Sequence, residues 1–260
     1  MNSAFYVPLD ELRFRATDAT VGPWGPALQH GSPPAALLGH LLETRLPRPD
    51  ARVAQMAFDF FGPLAVTEVS ADLEVIRPGA RIELSRARLW LAGRVAMQAS
   101  AWRIAVQEGR VPVIPLGRTL PRLPDPQPNS VLRVLPSFLY AEAVEWRFAN
   151  GAFETLGPAT AWARPRVPLV EGVPVSPLVR LLLMVDSANG ISAELDPSRY
   201  TFVPVALTVT IHRYPRTEWV GMTARSVIDG GGIGVTHADL FDEEDYLGSA
   251  IQTLFVAPRT

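Results

Sequence analysis

Two runs in this chain are apolar at almost every position, and each introduces a series of segments in which apolar and polar residues alternate. The first run is Pro33-Pro34-Ala35-Ala36-Leu37-Leu38-Gly39-His40-Leu41-Leu42. The second is Leu178-Val179-Arg180-Leu181-Leu182-Leu183-Met184-Val185, opened by Ser176-Pro177. A helix that is apolar all round is buried rather than surface-lying, and proline is well tolerated in a first helical turn because its missing N–H would have been unpaired anyway. The pattern therefore predicts buried helices over residues 33–46, ended by Pro47 and Pro49, and over residues 176–194. Strands are predicted at 5–16, then 52–61, 64–77, 80–93 and 94–107. In the second half they are predicted at 143–148 and 158–165, then 203–213, 217–228, 233–241 and 246–257. Ile82, Leu84, Ala87, Leu89 and Leu91 show the period of two in part. Arg77-Pro78-Gly79, Ala92-Gly93, Gly230-Gly231-Gly232 and Asp242-Glu243-Glu244 read as turns.

The order of elements is the same twice, which makes an internal repeat the first inference about the fold. Residues 109–137 hold Pro112, Pro115, Pro121, Pro124, Pro126, Pro128 and Pro136 and read as a semi-rigid extended linker. The chain then divides into 1–108, the linker 109–137, and 138–260. A meander long enough to curl about a buried helix, made twice, predicts an α+β fold: two antiparallel sheets, each wrapped around a central helix, joined side by side into one continuous sheet. Joining removes an edge from each unit, and exposed edges are a liability.

Composition narrows the function classes. With 48% apolar and 19% charged residues, 260 residues are enough to bury a substantial core. A net charge of −2 gives no electrostatic case for nucleic acid or an anionic membrane as partner. The absence of cysteine excludes disulfides, thiolate metal sites and cysteine nucleophiles. No apolar stretch reaches the ~18 residues of a membrane span, and Met1-Asn2-Ser3-Ala4-Phe5-Tyr6 lacks the basic and apolar regions of a secretory signal. A cytoplasmic location is the expectation. His30, His40, His212 and His237 have no metal-ligand spacing, so neither metal nor cofactor is expected. The six tryptophans are scattered and read as packing rather than a stacking platform. Gly230 to Gly234 mimics a phosphate loop, but no helix follows it.

One residue distinguishes the two helical runs: Asp186 ends the second, whereas the first carries no acid before Glu43. A carboxylate in an apolar helix has a perturbed pKa, a recognised mark of functional sites. The plainer reading is a bond to a backbone N–H or to Arg180 or Arg199.

Three stretches resemble the double-hotdog acyl-CoA thioesterases, the TesB-like family. They are Gly22-Pro23-Trp24 with Gln29-His30-Gly31-Ser32-Pro33-Pro34-Ala35-Ala36-Leu37-Leu38; Met184-Val185-Asp186-Ser187-Ala188-Asn189-Gly190; and Gly232-Ile233-Gly234, Leu240-Phe241-Asp242 and Gln252-Thr253-Leu254-Phe255. The resemblance implies a double hotdog and hydrolysis of a fatty or other apolar acyl-CoA, with water positioned by Asp186 and Gln252. The family's third site position, a Thr, Asn or Asp, falls within Val203-Pro204-Val205-Ala206, where none occurs. Thr208 serves only if the register is shifted. His30, Gly31, Asn189 and Gly190 are the expected substrate-binding positions, and Arg213, Arg216 and Arg225 are candidate phosphate contacts. A homo-oligomer is expected from the fold. The departure at Val203–Ala206 leaves open an accessory protein that binds acyl thioesters with lost or weak hydrolysis. A hotdog hydratase is less favoured, because no His stands at a matching place on the second helix.

Overall fold

The structure is a computed structural model and describes residues 3–117, 119–128 and 138–259. Met1, Asn2, Thr260 and, within the expected linker, residues 118 and 129–137 lie outside it. The strands are β1 (Tyr6–Pro8), β2 (Arg13–Ala16), β3 (Ala51–Phe60), β4 (Glu68–Arg77), β5 (Ile82–Leu91), β6 (Arg94–Ala105), β7 (Val144–Asn150), β8 (Ala159–Pro165), β9 (Tyr200–Ile211), β10 (Val220–Ile228), β11 (Ile233–Phe241) and β12 (Tyr246–Pro258). The helices are α1 (Ser32–Arg45), α2 (Tyr140–Ala143), α3 (Pro177–Val185) and α4 (Ala188–Ile191). All twelve strands form one sheet in the order β1-β2-β4-β5-β6-β3-β9-β12-β11-β10-β8-β7. Its first six strands come from the first half of the chain and its last six from the second. β3 and β9 join the halves antiparallel, with Gln55 opposite Thr210 and Asp59 opposite Ala206. Among the described residues, no helix is long and apolar enough to cross a membrane.

α1 and α3 pack against each other in the core, and Gly39 lies at that contact. A Cβ there would lie 2.4 Å from Leu182 Cδ1, so no larger residue fits without displacing that side chain. Each helix is closed by groups from elsewhere. Arg103, buried on β6, donates to the carbonyls of Leu42 and Leu46, which are left over at the end of α1, and pairs with Glu83. Ser176 caps α3 by accepting the Val179 N–H at 3.2 Å, and its hydroxyl donates to Glu43 Oε2 at 2.6 Å. One side chain thus starts the second helix and ties it to the last turns of the first. Ser176→Ala removes both bonds and leaves Glu43 partly buried without its donor. The expected loss is about 2 kcal/mol, read as a lower denaturant midpoint with unchanged slope.

Two expectations differ from the structure, and one element was not expected. Residues 5–16 form two short strands rather than one, because Asp10 Oδ1 accepts the N–H groups of Leu12 and Arg13 and turns the chain. The second helix does not run through 176–194. It stops at Val185, Ser187 N–H reaches back to Met184, and α4 follows as a separate turn. α2 was not anticipated; its four residues lie too close to β7 to show a helical period. The described part of the linker forms no helix or strand. Leu120 and Leu123 cover Trp162, Trp219 and Phe241, and Gln127 brackets the backbone of Phe148 on β7.

Candidate active site

At the break after α3, Asp186 is held from outside the helix. It caps the C-terminus and is only 1% exposed. Gln252 on β12 donates from Nε2 to Asp186 Oδ1 at 3.0 Å and to the Asp186 carbonyl at 3.1 Å. Strand alternation turns Gln252 inward with Ala250 and Leu254 while Ile251 and Thr253 face out. The amide is oriented by Asn189, whose backbone N–H donates to Gln252 Oε1 at 3.0 Å. Asn189 is in turn fixed by its own Nδ2 bond to the Phe202 carbonyl at 3.2 Å.

The first half supplies the opposite wall. Gly31 is the N-cap of α1, and its backbone N–H bonds the Asp186 carboxylate. Pro33 and Pro34 carry no N–H, and the Ser32 N–H is taken by His30 Nδ1 at 3.2 Å. The positive end of this helix is therefore presented to the site through Gly31. A Cβ on Gly31 would lie 2.4 Å from Asp186 Oδ2 and 2.9 Å from the Phe60 ring, so only glycine allows this approach. His30 is buried, with its ring stacked on Tyr140 at 4.2 Å and 5° and on Trp24 at 6.1 Å and 15°. Its Nδ1 lies 3.9 Å from Asp186 Oδ2.

Burial decides the charge states. Desolvation pushes Asp186 up to about 7, against the opposing pull of Gln252 and the Gly31 N–H. Desolvation also pushes His30 down to about 3, so its imidazole is neutral. The Tyr140 hydroxyl is pushed up by burial and donates to the Leu183 carbonyl at 2.5 Å. Beside Asp186 and Gly31 opens a cavity of about 450 Å³, walled by Trp24, Phe60, Phe61, Leu64, Pro204 and Val205. That volume suits a small-molecule ligand. Gln29 also borders it, but its amide is committed to the Tyr6 hydroxyl and the Ala65 carbonyl.

Of the expected site residues, Asp186, Gln252, Gly31, His30 and Asn189 come together. Thr208 does not. Gln252 stands opposite Leu207, whereas Thr208 stands opposite Ile251 and Ala57 on the other face of the sheet. The register does shift in β9, between the partners of Thr253 and Leu254, but Val205 occupies that irregularity and the side of Thr208 is unchanged. Gly190 does not line the cavity either; it is exposed on α4 and a Cβ there would meet nothing. Nor do the candidate phosphate contacts. Arg213 is locked onto Asp242 by two bonds of 2.6 and 3.1 Å, Arg216 lies toward Glu244, and Arg225 stands opposite His237 on the outer face. Tyr140, Phe60 and Phe61 were missed, and Trp24 was read as packing. Nothing in their local sequence marks them, since Trp24, the Phe60-Phe61 pair and Tyr140 reach the site from three separate parts of the chain.

Residues 20–104 match the acyl-CoA thioesterase N-terminal domain, and residues 118–256 match the acyl-CoA thioesterase C-terminal domain. A search of curated proteins found no match. Among solved structures, an acyl-CoA thioesterase II, TesB2, from Mycobacterium marinum superposes with a TM-score of 0.69 at 17% identity, covering 98% of this chain and 95% of that one. The tesB protein of Mycobacterium avium subs paratuberculosis gives 0.68 at 15% identity, covering 97% and 96%. A hot dog protein from Alicyclobacillus acidocaldarius gives 0.67 at 15% identity, covering 99% and 98%. At these identities the structural likeness establishes the double-hotdog fold and nothing finer.

Proposed function

Because the chain belongs to the acyl-CoA thioesterase family, and is by that membership a thioester hydrolase, we propose that it hydrolyses apolar acyl-CoA thioesters at the Asp186 cavity, with Asp186 as the base. The observation that carries this reading is a buried carboxylate at the mouth of an apolar cavity with a backbone N–H of a helix start beside it. The acyl chain lies along Trp24, Phe60, Phe61 and Val205. The Gly31 N–H bonds the Asp186 carboxylate and so fixes the base at the positive end of α1, beside the place the thioester carbonyl takes. Asp186 accepts a proton from the attacking water. Both ends of the Gln252 amide are already committed, to Asp186 and to Asn189. Its role in this reading is to aim the carboxylate, not to hold the water from a second side. Among the described residues, the wall formed by Phe60, Phe61, Leu64, Pro204 and Val205 carries no polar side-chain atom, which favours an unsubstituted acyl chain.

The test is thiol release from a panel of acyl-CoAs of increasing chain length, followed across pH. Release from unsubstituted chains is expected, with kcat/KM rising as Asp186 ionises, half-maximal near the value of about 7 to which burial pushes it. Folded protein that releases no thiol from any member sinks the reading. One observation favours a second reading, an acyl-thioester-binding protein without turnover: β9 brings Val203, Pro204 and Val205 to the cavity with no hydroxyl or amide side chain. Recovery of intact acyl-CoA from a saturable complex would favour it.

A further inference from the structure

We propose that the open cavity of about 680 Å³ at the turn between β4 and β5 is a second binding site, and that its ligand is a small phosphate ester of the nucleotide kind. The phosphate meets Arg77, Arg81 and Arg110, and the ring lies on Ile82 and Ile104. This place is separate from the Asp186 cavity. Met97 on β6 stands opposite Phe60, which walls the Asp186 cavity, and Ile104 lies seven residues further along the same strand. At ~3.3 Å per residue the two places are roughly 23 Å apart.

The turn is built to leave donors free. Pro78 has no N–H, and the carbonyls of the next four residues are all occupied. Arg48 donates to the Gly79 and Ala80 carbonyls at 3.2 and 3.0 Å. The Ala105 N–H donates to the Arg81 carbonyl at 2.9 Å, and Arg77 Nη1 donates to the Ile82 carbonyl at 2.8 Å. Gly79 makes the turn this tight, since a Cβ there would stand 2.4 Å from the Ile82 carbonyl oxygen. Among the described residues, the N–H groups of Gly79, Ala80 and Arg81 have no hydrogen-bond partner. All three residues line the cavity. Successive unpaired backbone N–H groups at a turn are a known device for holding an anion.

Charge points the same way. Behind the turn, Arg48 and Arg103 are neutralised by Asp50 and Glu83. The guanidinium groups of Arg81 and Arg110 have no such partner among the described residues, and Arg77 spends one N–H on the Ile82 carbonyl. No carboxylate is among the residues that line the cavity, so its three cations stand uncompensated in a chain whose net charge is −2. Arginine matches phosphate with two parallel donors and also stacks on flat rings. Ile82 and Ile104 are paired directly across β5 and β6, and each is nearly half exposed. An apolar pair beside three guanidinium groups fits a phosphate joined to a ring better than it fits inorganic phosphate. The volume suits one such molecule.

The experiment reads the turn itself. Nitrogen-15-labelled protein is titrated by NMR with adenosine monophosphate, inorganic phosphate and adenosine at low ionic strength. Wild type is compared with Arg81→Gln/Arg110→Gln, whose two altered side chains are exposed and bear on no folded contact. The expected result is a saturable shift of the Gly79, Ala80 and Arg81 amides with the nucleotide. Its affinity should fall about tenfold for each arginine removed and weaken as salt is added. Inorganic phosphate should move the same amides only at higher concentration, and adenosine should not move them. No saturable shift at these amides overturns the proposal, as does full affinity in the double variant or equal binding of adenosine. Thiol release from acyl-CoA should be the same in the double variant as in wild type, because the Asp186 cavity lies elsewhere. Release lost together with nucleotide binding would put these arginines in the hydrolytic site and overturn a separate one. Nucleotide binding without thiol release from any acyl-CoA would keep this site and remove the hydrolytic reading.

Discussion

Asp186→Asn is expected to lower kcat between about 10²- and 10⁴-fold, the usual worth of a positioned acid–base group, while the protein stays folded. The two effects separate because the carboxylate is held against its own preference. Burial pushes Asp186 from 3.8 up to about 7, so between those values the folded state binds a proton that the unfolded chain has lost. Stability from this group is full below about pH 4, declines as pH rises toward 7 and levels off above it. Asparagine cannot ionise and escapes that decline. Gln252 Nε2 still finds an oxygen to bond, although the new NH₂ group must turn from the Gly31 N–H. At pH 8 the variant should melt no lower than wild type, and up to a few degrees higher. Thiol release and thermal melts at pH 5 and pH 8 check both halves. Activity retained within a few fold would show that Asp186 is not the base.

Gly31→Ala is expected to cost about 10²-fold in kcat through one misplaced carboxylate. The backbone at Gly31 has φ −71° and ψ −21°, a conformation that alanine adopts without strain. The harm is confined to the added methyl, which would stand 2.4 Å from Asp186 Oδ2 and 2.9 Å from the Phe60 ring. The carboxylate must move, and with it goes the alignment set by Gln252. Stability should change little by comparison. Gly190→Ala is the control, since its Cβ meets open space on an exposed helical turn. Equal losses in the two variants, or none at Gly31, would argue against a close approach of backbone and carboxylate at the reacting centre.

Much of the architecture was legible before any coordinates. The two all-apolar helices, the order of the long strands and the repeat follow from hydrophobic period alone, because a segment that buries every face or alternate faces must show it in its residues. Asp186 was legible for the same reason, as the acid at the end of a run that otherwise holds no acid. Gln252 and Gly31 were reached through resemblance. Thr208 shows where such reasoning fails. Strand faces reverse with each residue, and only the pairing of Leu207 with Gln252 shows that Thr208 points outward. The predicted helix ran past Val185 to 194, and the bonds that hold Asp186 at its actual end come from Gln252, 66 positions beyond that acid.

By itself, then, the amino-acid order determined the duplicated helix-and-meander plan, the buried position of both helices and the one acid placed among apolar residues. The tertiary structure alone decided which face each strand presents and which aromatic rings wall the cavity. It also decided that His30, Gly31 and Gln252 meet around Asp186. Periodicity is local and is written in neighbouring residues. A site assembled from α1, α2, α3, β9 and β12 depends on register and helix packing, which exist only once the two halves close on each other.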